Sequence, residues 1–369
     1  MSAAGGTKIA MRGAGYYSLN TIGAKTVIDK VADIVIAAVA KTPTLPKGQA
    51  WAIADFGAAD GGTSIEMMRR LIGAIRAREP DRPITITYTD LPHNDFSTLF
   101  RLTQGLLDSN SSAALADIPS LYIFGSGTSF YRQIFPNSSL ALGFSATAMH
   151  WISSRPCMIA EHVQAVGAAP AERAQFRAQA LRDWETILLT RARELLPGGR
   201  LVLANFCVDE VGRYLGHTTG VDMFDSFARH WRDLLSAGRI NRTEYVNATF
   251  QQFYKNPDEF AAPFRDPASP VSRAGLTLEG MFTMLTPCPF ASEYERKRDA
   301  AAFAKAYVPT LRSWSETVFA AALDPSRPEA QRAAIIDDFY AAYEMEVARN
   351  PEGHRMDYVH CVTEIVKAT

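Results

Sequence analysis

Cysteine is scarce in this chain and never closely paired. Cys157, Cys207, Cys288 and Cys361 are the only four, and no Cys-x-x-Cys spacing occurs. Zinc knuckles and dithiol redox motifs are thereby disfavoured, no metal site is expected, and the simplest reading is reduced thiols in a cytoplasmic protein. Excess charge of one sign is also lacking. Lys plus Arg number 38 against 39 Asp plus Glu, the formal net charge is −1, and there is no basic tail or run, which disfavours nucleic acid as a partner. Met1–Ala10 has no apolar core of the kind a secretory signal carries. The apolar stretch Val27–Ala40 holds Asp29, Lys30 and Asp33. It is too short and too charged to span a membrane and reads as an amphipathic helix. There is no internal repeat and no low-complexity segment.

What is present is apolar mass: 47% of 369 residues, enough for a large core. The first half alternates between the two periodicities. Helical patterns cover Thr26–Ala40, Ser64–Arg78, Asp95–Asp108 and Ala171–Leu196, the last closed by Pro197-Gly198-Gly199. Strand-like runs cover Trp51–Phe56, Ile84–Tyr88, Leu121–Phe124, Leu140–Phe144 and Arg200–Phe206. Such alternation predicts an α/β fold, a parallel sheet with helices on both faces. After Cys207 the pattern changes to a helix over Val221–Ala237, a proline-rich irregular stretch over Phe250–Arg273, a strand over Leu276–Leu285, helices over Glu293–Leu323 and Pro328–Ala348, and a closing strand over Asp357–Val366. The expected organisation is a core of 1–207 and 276–369, with 208–275 forming a helical cap that helices within 293–348 partly join.

Two acids at strand exits carry the chemistry. The first lies in Trp51-Ala-Ile-Ala-Asp55-Phe-Gly57-Ala-Ala-Asp60-Gly61-Gly62, the second in Ile84-Thr-Ile-Thr-Tyr-Thr-Asp90-Leu91. A strand, a glycine turn, a helix and an acid at the next strand tip make a nucleotide-type half-site. Glycines let the backbone approach a ligand, and a strand-tip carboxylate accepts the two hydroxyls of a ribose. The turn lacks G-x-G-x-x-G spacing, and Asp60 would repel a pyrophosphate. Adenosine attached to a cationic group suits it better than a dinucleotide.

Several ordered stretches then resemble the SABATH family of carboxyl and N-methyltransferases. Met11-Arg12-Gly-Ala-Gly15-Tyr-Tyr17-Ser-Leu-Asn20-Thr21 is similar to that family's opening M-x-G-G-x-G…S-Y-A-x-N-S, shortened between the glycines and the tyrosine. Ile53-Ala-Asp55-Phe-Gly57 resembles I-A-D-L-G, and Thr89-Asp90-Leu91-Pro92-His93-Asn94-Asp95-Phe96 resembles N-D-L-P-x-N-D-F. Gly127-Thr-Ser129-Phe130-Tyr131-Arg-Gln-Ile-Phe135-Pro136 is similar to P-G-S-F-Y-x-R-L-F-P, Ser145-Ala-Thr147-Ala-Met-His150-Trp151 to S-S-Y-S-L-x-W, and Pro197-Gly-Gly-Arg200 to P-G-G-R. The likeness spans Met11 to Phe206 and weakens beyond it. It implies a Rossmann-like class I methyltransferase sheet, seven strands and mostly parallel, under an α-helical cap. It further implies S-adenosylmethionine (SAM) as cofactor, methyl esters of small carboxylic acids as products, and a homodimer.

By the same resemblance Asp55 and Gly57 line the cofactor's methionine end, with Tyr17 and Thr21 near its amino-acid end or sulfonium, and Asp60 of the glycine turn is counted with the cofactor-binding residues. Asp90 holds the ribose, Leu91 packs on adenine, and Ser129 and Phe130 flank the adenine's other side. Trp151 donates its indole N–H to the acceptor's carboxylate with His150 beside it, and His150 is expected to bind that carboxylate most strongly when protonated. Arg12, Ala24, Thr147, Phe224, Tyr307 and Trp314 complete the expected acceptor site. Ala24 stands where the family has a glutamine donor and Thr147 where it has a tyrosine, so one donor and one aromatic wall are missing. A competing pattern is Gly143-Phe-Ser145-Ala-Thr147, close to a nucleophile elbow, with Asp209 and His354 or His360 following in α/β-hydrolase order. Thr147 is bulky where an elbow needs a small residue, and no H-G-G motif precedes it. A non-catalytic SAM-binding relative is the third reading.

Overall fold

The structure, a computed structural model, describes residues 22–107, 114–115 and 117–369. Seven strands form one sheet: β1 Trp51–Phe56, β2 Ile84–Thr89, β3 Leu121–Ser126, β4 Leu140–Ala146, β5 Leu195–Phe206, β6 Leu276–Thr286 and β7 Tyr358–Lys367. Their order is β3-β2-β1-β4-β5-β7-β6. β1 to β5 are parallel, and β7 lies antiparallel between β5 and β6. This is the seven-stranded, mostly parallel sheet that the alternating pattern and the resemblance imply. Strand order reverses between β1 and β4, which opens a crevice outside their carboxyl ends.

Burial explains the strand sequences. A strand covered on both faces reads as an almost continuous apolar run, as β4 does over LALGFSA, buried up to its last residue. Successive residues serve opposite layers. Ile53, Val202 and Ala204 join the large cluster that includes α1 (Ile22–Lys41) and α2 (Ile65–Arg78). Ala54, Phe56, Leu201 and Leu203 join Trp184, Ile187 and Leu188 of α4 (Pro170–Glu194) on the other side. α3, Phe96–Thr103, follows β2.

Beyond the sheet, α5 (Met223–Ser236), α6 (Arg242–Asn247), α10 (Ala300–Ala322) and α11 (Glu329–Arg349) pack on one another. Phe224, Phe227 and Trp231, spaced for one helix face, meet Phe250, Phe319, Phe339 and Tyr343 in an aromatic core. Three stretches depart from the sequence expectation. The supposedly irregular 250–273 contains α7 (Pro257–Arg265) and α8 (Pro270–Arg273). Asn256 and Glu259 form a reciprocal capping box around Pro257 at the first helical position. These two helices lie against β6 and α4, apart from the group of α5, α6, α10 and α11, with Phe260 edge-on to Trp184 at 5.4 Å. The long helix over Glu293–Leu323 is two, α9 (Pro289–Lys297) and α10, because Arg298 turns left-handed at φ 55°. β5 starts at Leu195, before the Pro-Gly-Gly stop. Leu195 already pairs with Leu140, and a register shift absorbs the glycines before Leu142 meets Arg200.

Candidate active site

The turn after β1 is clamped to the turn after β2. The N–H groups of Gly57 and Ala58 both donate to the Thr89 carbonyl, at 2.8 and 3.0 Å. Asp90 accepts from the N–H of Ala59 at 2.8 Å and from that of Leu91 at 2.7 Å. Asn94 donates back to the Ala59 carbonyl at 2.7 Å, and Asp95 caps α3 through the Thr98 N–H and hydroxyl. The run Asp90 to Asp95 is thus a set of local ties with few free choices. Gly57 sits at φ +79°, and a Cβ there would stand 2.2 Å from that of Ala148. It both makes the turn and admits the segment leading to Trp151.

Asp55 is 3% exposed and accepts the Ser64 hydroxyl at 2.6 Å. Ser64 holds the first position before α2 without capping the backbone, and Asp55 bonds that hydroxyl, not the helix N–H groups. Burial pushes the Asp55 carboxyl up to about 7, the Ser64 bond opposes this, and Asp90 adds to it. Asp90 is also raised by burial, against its two backbone N–H bonds and His93. Nearby, the Tyr88 hydroxyl and the Thr89 Oγ1 are buried without partners among the described residues. The strand tips therefore hold two electrostatically coupled carboxyls and two unmet hydroxyls, a surplus that a polar cationic ligand would relieve.

Asp60 bonds the Gly62 N–H at 3.2 Å. Ser129 and Phe130 follow β3, whose Ser126 carbonyl takes the Asp90 N–H at 3.1 Å. A Cβ on Gly127 would come 3.2 Å from the Pro92 Cα, so this segment runs beside the Asp90 turn. It is held from below by a fully buried ion pair. Arg191 donates to the Phe130 and Arg132 carbonyls and to Glu194, and Glu194 accepts from the Ile134 and Phe135 N–H groups.

A cavity with about 510 Å³ of empty space, counted out to its mouth, lies past the carboxyl ends of β4 and β5. Ala24 of α1, Thr147, His150 and Trp151 after β4, and Trp314 of α10 line it, all five from the set the sequence reading assigns to the acceptor. Phe206, Leu215, Gln252, Tyr254, Met356 and Tyr358 line it as well, and none of these was anticipated. Among the described residues, none that lines it carries a formal charge. Phe224 and Tyr307 were expected at the wall and are not. Both are fully buried in the layer behind, Phe224 against Trp314 and Tyr254, Tyr307 against Phe303 and Tyr343. Arg12, Tyr17 and Thr21 lie outside the described residues.

Trp151 is partly exposed to this cavity and its indole N–H has no hydrogen bond to a described residue, while its backbone is fixed by a bridge to Gln252 and by the Tyr131 hydroxyl on its carbonyl. His150 is 5% exposed, packed among the rings of Trp151, Phe206 and Tyr254. Burial, with His360 and Lys255 nearby, holds its pKa well below the usual imidazole range. The expected imidazolium is therefore a neutral ring, because no carboxylate among the described residues offsets burial of the charge.

The hydrolase pattern does not assemble. Ser145 is fully buried in β4 and donates to the Phe56 carbonyl at 2.7 Å. Asp209 is taken by Arg213, His354 faces Glu346, and His360 bonds Thr147. Among the described residues no group of three or more His, Cys, Asp or Glu side chains could hold a metal ion, and no helix is long and apolar enough to cross a membrane.

Residues 8–368 match the family described as SAM dependent carboxyl methyltransferase. Among curated proteins, the chain is similar to an O-methyltransferase (acrG) of Aspergillus aculeatus, 28% identical over 331 residues that cover 84% of this chain and 82% of that one. It is also similar to anthranilate O-methyltransferase 2 of Zea mays, 24% identical over 340 residues covering 87% and 86%. Among solved structures, loganic acid methyltransferase with S-adenosylhomocysteine (SAH) superposes with a TM-score of 0.71 over 97% of this chain and 99% of that one, at 18% identity. This last likeness concerns the fold.

Proposed function

Because the chain belongs to the SAM dependent carboxyl methyltransferase family, we propose that it esterifies the carboxylate of a small organic acid inside the cavity beside Trp151. One observation supports the placement of the acceptor: a cavity whose described lining is uncharged, and whose Trp151 indole N–H has no described partner, is walled by Thr147 and His150, and Ala148 between them packs on Gly57 of the turn whose Ala59 N–H Asp90 holds. When bound, SAM supplies a methyl group on a positively charged sulfur. The donor set fits such a ligand, since Asp90 and Asp55 offer carboxyl oxygens for a diol and an ammonium, and the buried Tyr88 and Thr89 hydroxyls have no partner among the described residues. Asp90 is assigned the ribose, Asp55, Gly57 and Asp60 the amino-acid end, and Leu91, Ser129 and Phe130 the base. The helical cover assigned to close the cavity comprises α5, α6, α10 and α11.

The remaining chemistry belongs to the chain. A carboxylic acid with pKa near ~4 is already ionised at neutral pH, so no general base is needed, and the neutral His150 accords with that. The protein's task is to hold the acid's oxygen in line, about 3–3.5 Å from the carbon it attacks. Trp151 supplies a hydrogen bond that partly offsets the acid's desolvation. The described walls carry no charged side chain and so favour a neutral ester over a separated carboxylate, and charge neutralisation proceeds with the grain of the site. A turnover assay with methyl-labelled SAM and a panel of carboxylic acids tests the proposal; no labelled ester from any acid, despite SAH binding, would favour the non-catalytic reading. Extension to a homodimer and a cytoplasmic location rests on the family resemblance and the unpaired cysteines; a sedimentation mass of one chain would remove the dimer.

Asp55 gives a pH signature. Its carboxyl is raised in the folded protein, so folding favours its protonated form, and that contribution to stability fades as pH rises toward about 7. Asp90 and Tyr88 share its field. An ammonium placed beside Asp55 lowers its pKa, so binding at about pH 6 releases up to about one proton, and release vanishes near pH 8. Calorimetry of SAH binding in buffers of different ionisation enthalpy reads this directly. Buffer-independent enthalpies at the lower pH, or the same release by Asp55→Asn, would remove Asp55 from the ammonium site.

A further inference from the structure

Thr147 Oγ1 lies 2.7 Å from Nε2 of His360, and Nδ1 of the same ring is buried with no partner among the described residues. Phe206 stacks on this imidazole at 4.6 Å between centroids and Tyr358 lies parallel to it at 6.2 Å, which fixes the ring plane. Burial pushes the His360 pKa down to about 3, so the ring carries one proton. The bond to Thr147 then has two forms. With the proton on Nδ1, Thr147 donates to Nε2 and a buried N–H is orphaned. With the proton on Nε2, the ring donates to Thr147 and only a lone pair goes unmet. Orphaned buried N–H groups are the costlier and rarer defect. The Nε2–H form is therefore favoured, and it leaves the Thr147 hydroxyl proton with no acceptor among the described residues. Thr147 lines the cavity.

We infer that Thr147 is a hydrogen-bond donor to the acceptor acid and that His360 is the positioning residue that turns its hydroxyl into the cavity. A carboxylate has two oxygens to satisfy. Trp151 offers one N–H, and the Thr147 hydroxyl, polarised by the imidazole behind it, offers a second donor of the charge-assisted kind. This inference rests on the carboxyl-transfer reading above and assigns a role to a strand residue, His360, that no step of that reading uses.

The test takes the best acid from a panel of benzoate, anthranilate and octanoate. Thr147→Val, equal in shape but without the hydroxyl, is expected to raise the acid's KM about five- to tenfold with SAM binding unchanged, and Thr147→Ser is expected to restore it. His360→Phe is expected to raise KM in the same direction, and to add nothing once Thr147→Val is present. An unchanged KM in Thr147→Val, or full additivity, overturns the inference. Independently of any acid, ¹⁵N NMR of the SAH-bound protein is expected to show His360 protonated at Nε2 and bare at Nδ1, with the resonance assigned by its loss in His360→Gln. The opposite tautomer also overturns the inference. Absence of turnover with every acid counts against the methyl-transfer reading itself, and the tautomer then still decides the pair.

Discussion

Asp90→Ala is expected to bind SAH about 100- to 1,000-fold more weakly than the unmodified chain. Two losses combine. The proposed contact with a diol is charge-assisted, about 1.5–3 kcal/mol for each hydrogen bond made to a charged group. The substitution also strands the Ala59 and Leu91 N–H groups, which both donate to this carboxylate, so the glycine turn loses its anchor. Asp90→Asn separates the two. Its amide oxygen can still accept from a turn N–H, but it carries no charge for a diol. If Asp90 merely held the turn, Asn would regain most of the affinity; if it holds the ribose, Asn stays within about tenfold of Ala. Calorimetric titration with SAH, alongside a melting curve to show that each variant is folded, decides between them. Near-normal binding by Asp90→Ala would remove the ribose assignment altogether.

The contrast between these two turns and the cavity shows what a sequence can disclose. β1 was expected at Trp51–Phe56 and occupies those residues, because a parallel strand buried on both faces needs an unbroken apolar run and has no other use for one. The acids at its exit and at that of β2 were legible for the same reason: each interrupts a pattern that is otherwise explained. The capping box at Asn256 and Glu259 was equally local, yet the prolines around it drew the stretch toward a loop. Its cue was a Pro at the first helical position, where proline belongs. The cavity is another matter. Ala24, Trp151, Gln252, Trp314 and Tyr358 come from five distant parts of the chain, and no periodicity links them. Phe224 and Trp314 are both aromatic and lie on α5 and α10, but only Trp314 reaches the cavity. Nothing in their local pattern separates a wall from the layer behind it. Tyr358 and His360 offered one faint signal: two residues apart on a strand, they share a face, and that face meets Phe206.

Trp151→Phe is expected to lower kcat/KM for the acid about 10- to 100-fold while leaving SAH affinity within about twofold, the span of one hydrogen bond to a charged group. Phenylalanine keeps an aromatic face toward His150, whose ring centroid lies 5.5 Å from that of Trp151. The backbone ties to Gln252 and to the Tyr131 hydroxyl do not involve the side chain. What disappears is the indole N–H, whose only proposed partner is the acid. A carboxylate entering a cavity whose described walls are uncharged, with one donor fewer, bears more of its desolvation cost, and the cost appears wherever the acid is bound. The way the loss divides is informative. A rise in KM with kcat unchanged means that Trp151 holds ground state and transition state alike, whereas an equal fall in kcat and kcat/KM means that it aligns the attacking oxygen. Steady-state kinetics with the best acid of the panel, paired with SAH calorimetry, measures both. Unchanged kinetics would take Trp151 out of the acceptor site, and a parallel loss of SAH affinity would show that its role is to support the cofactor cleft.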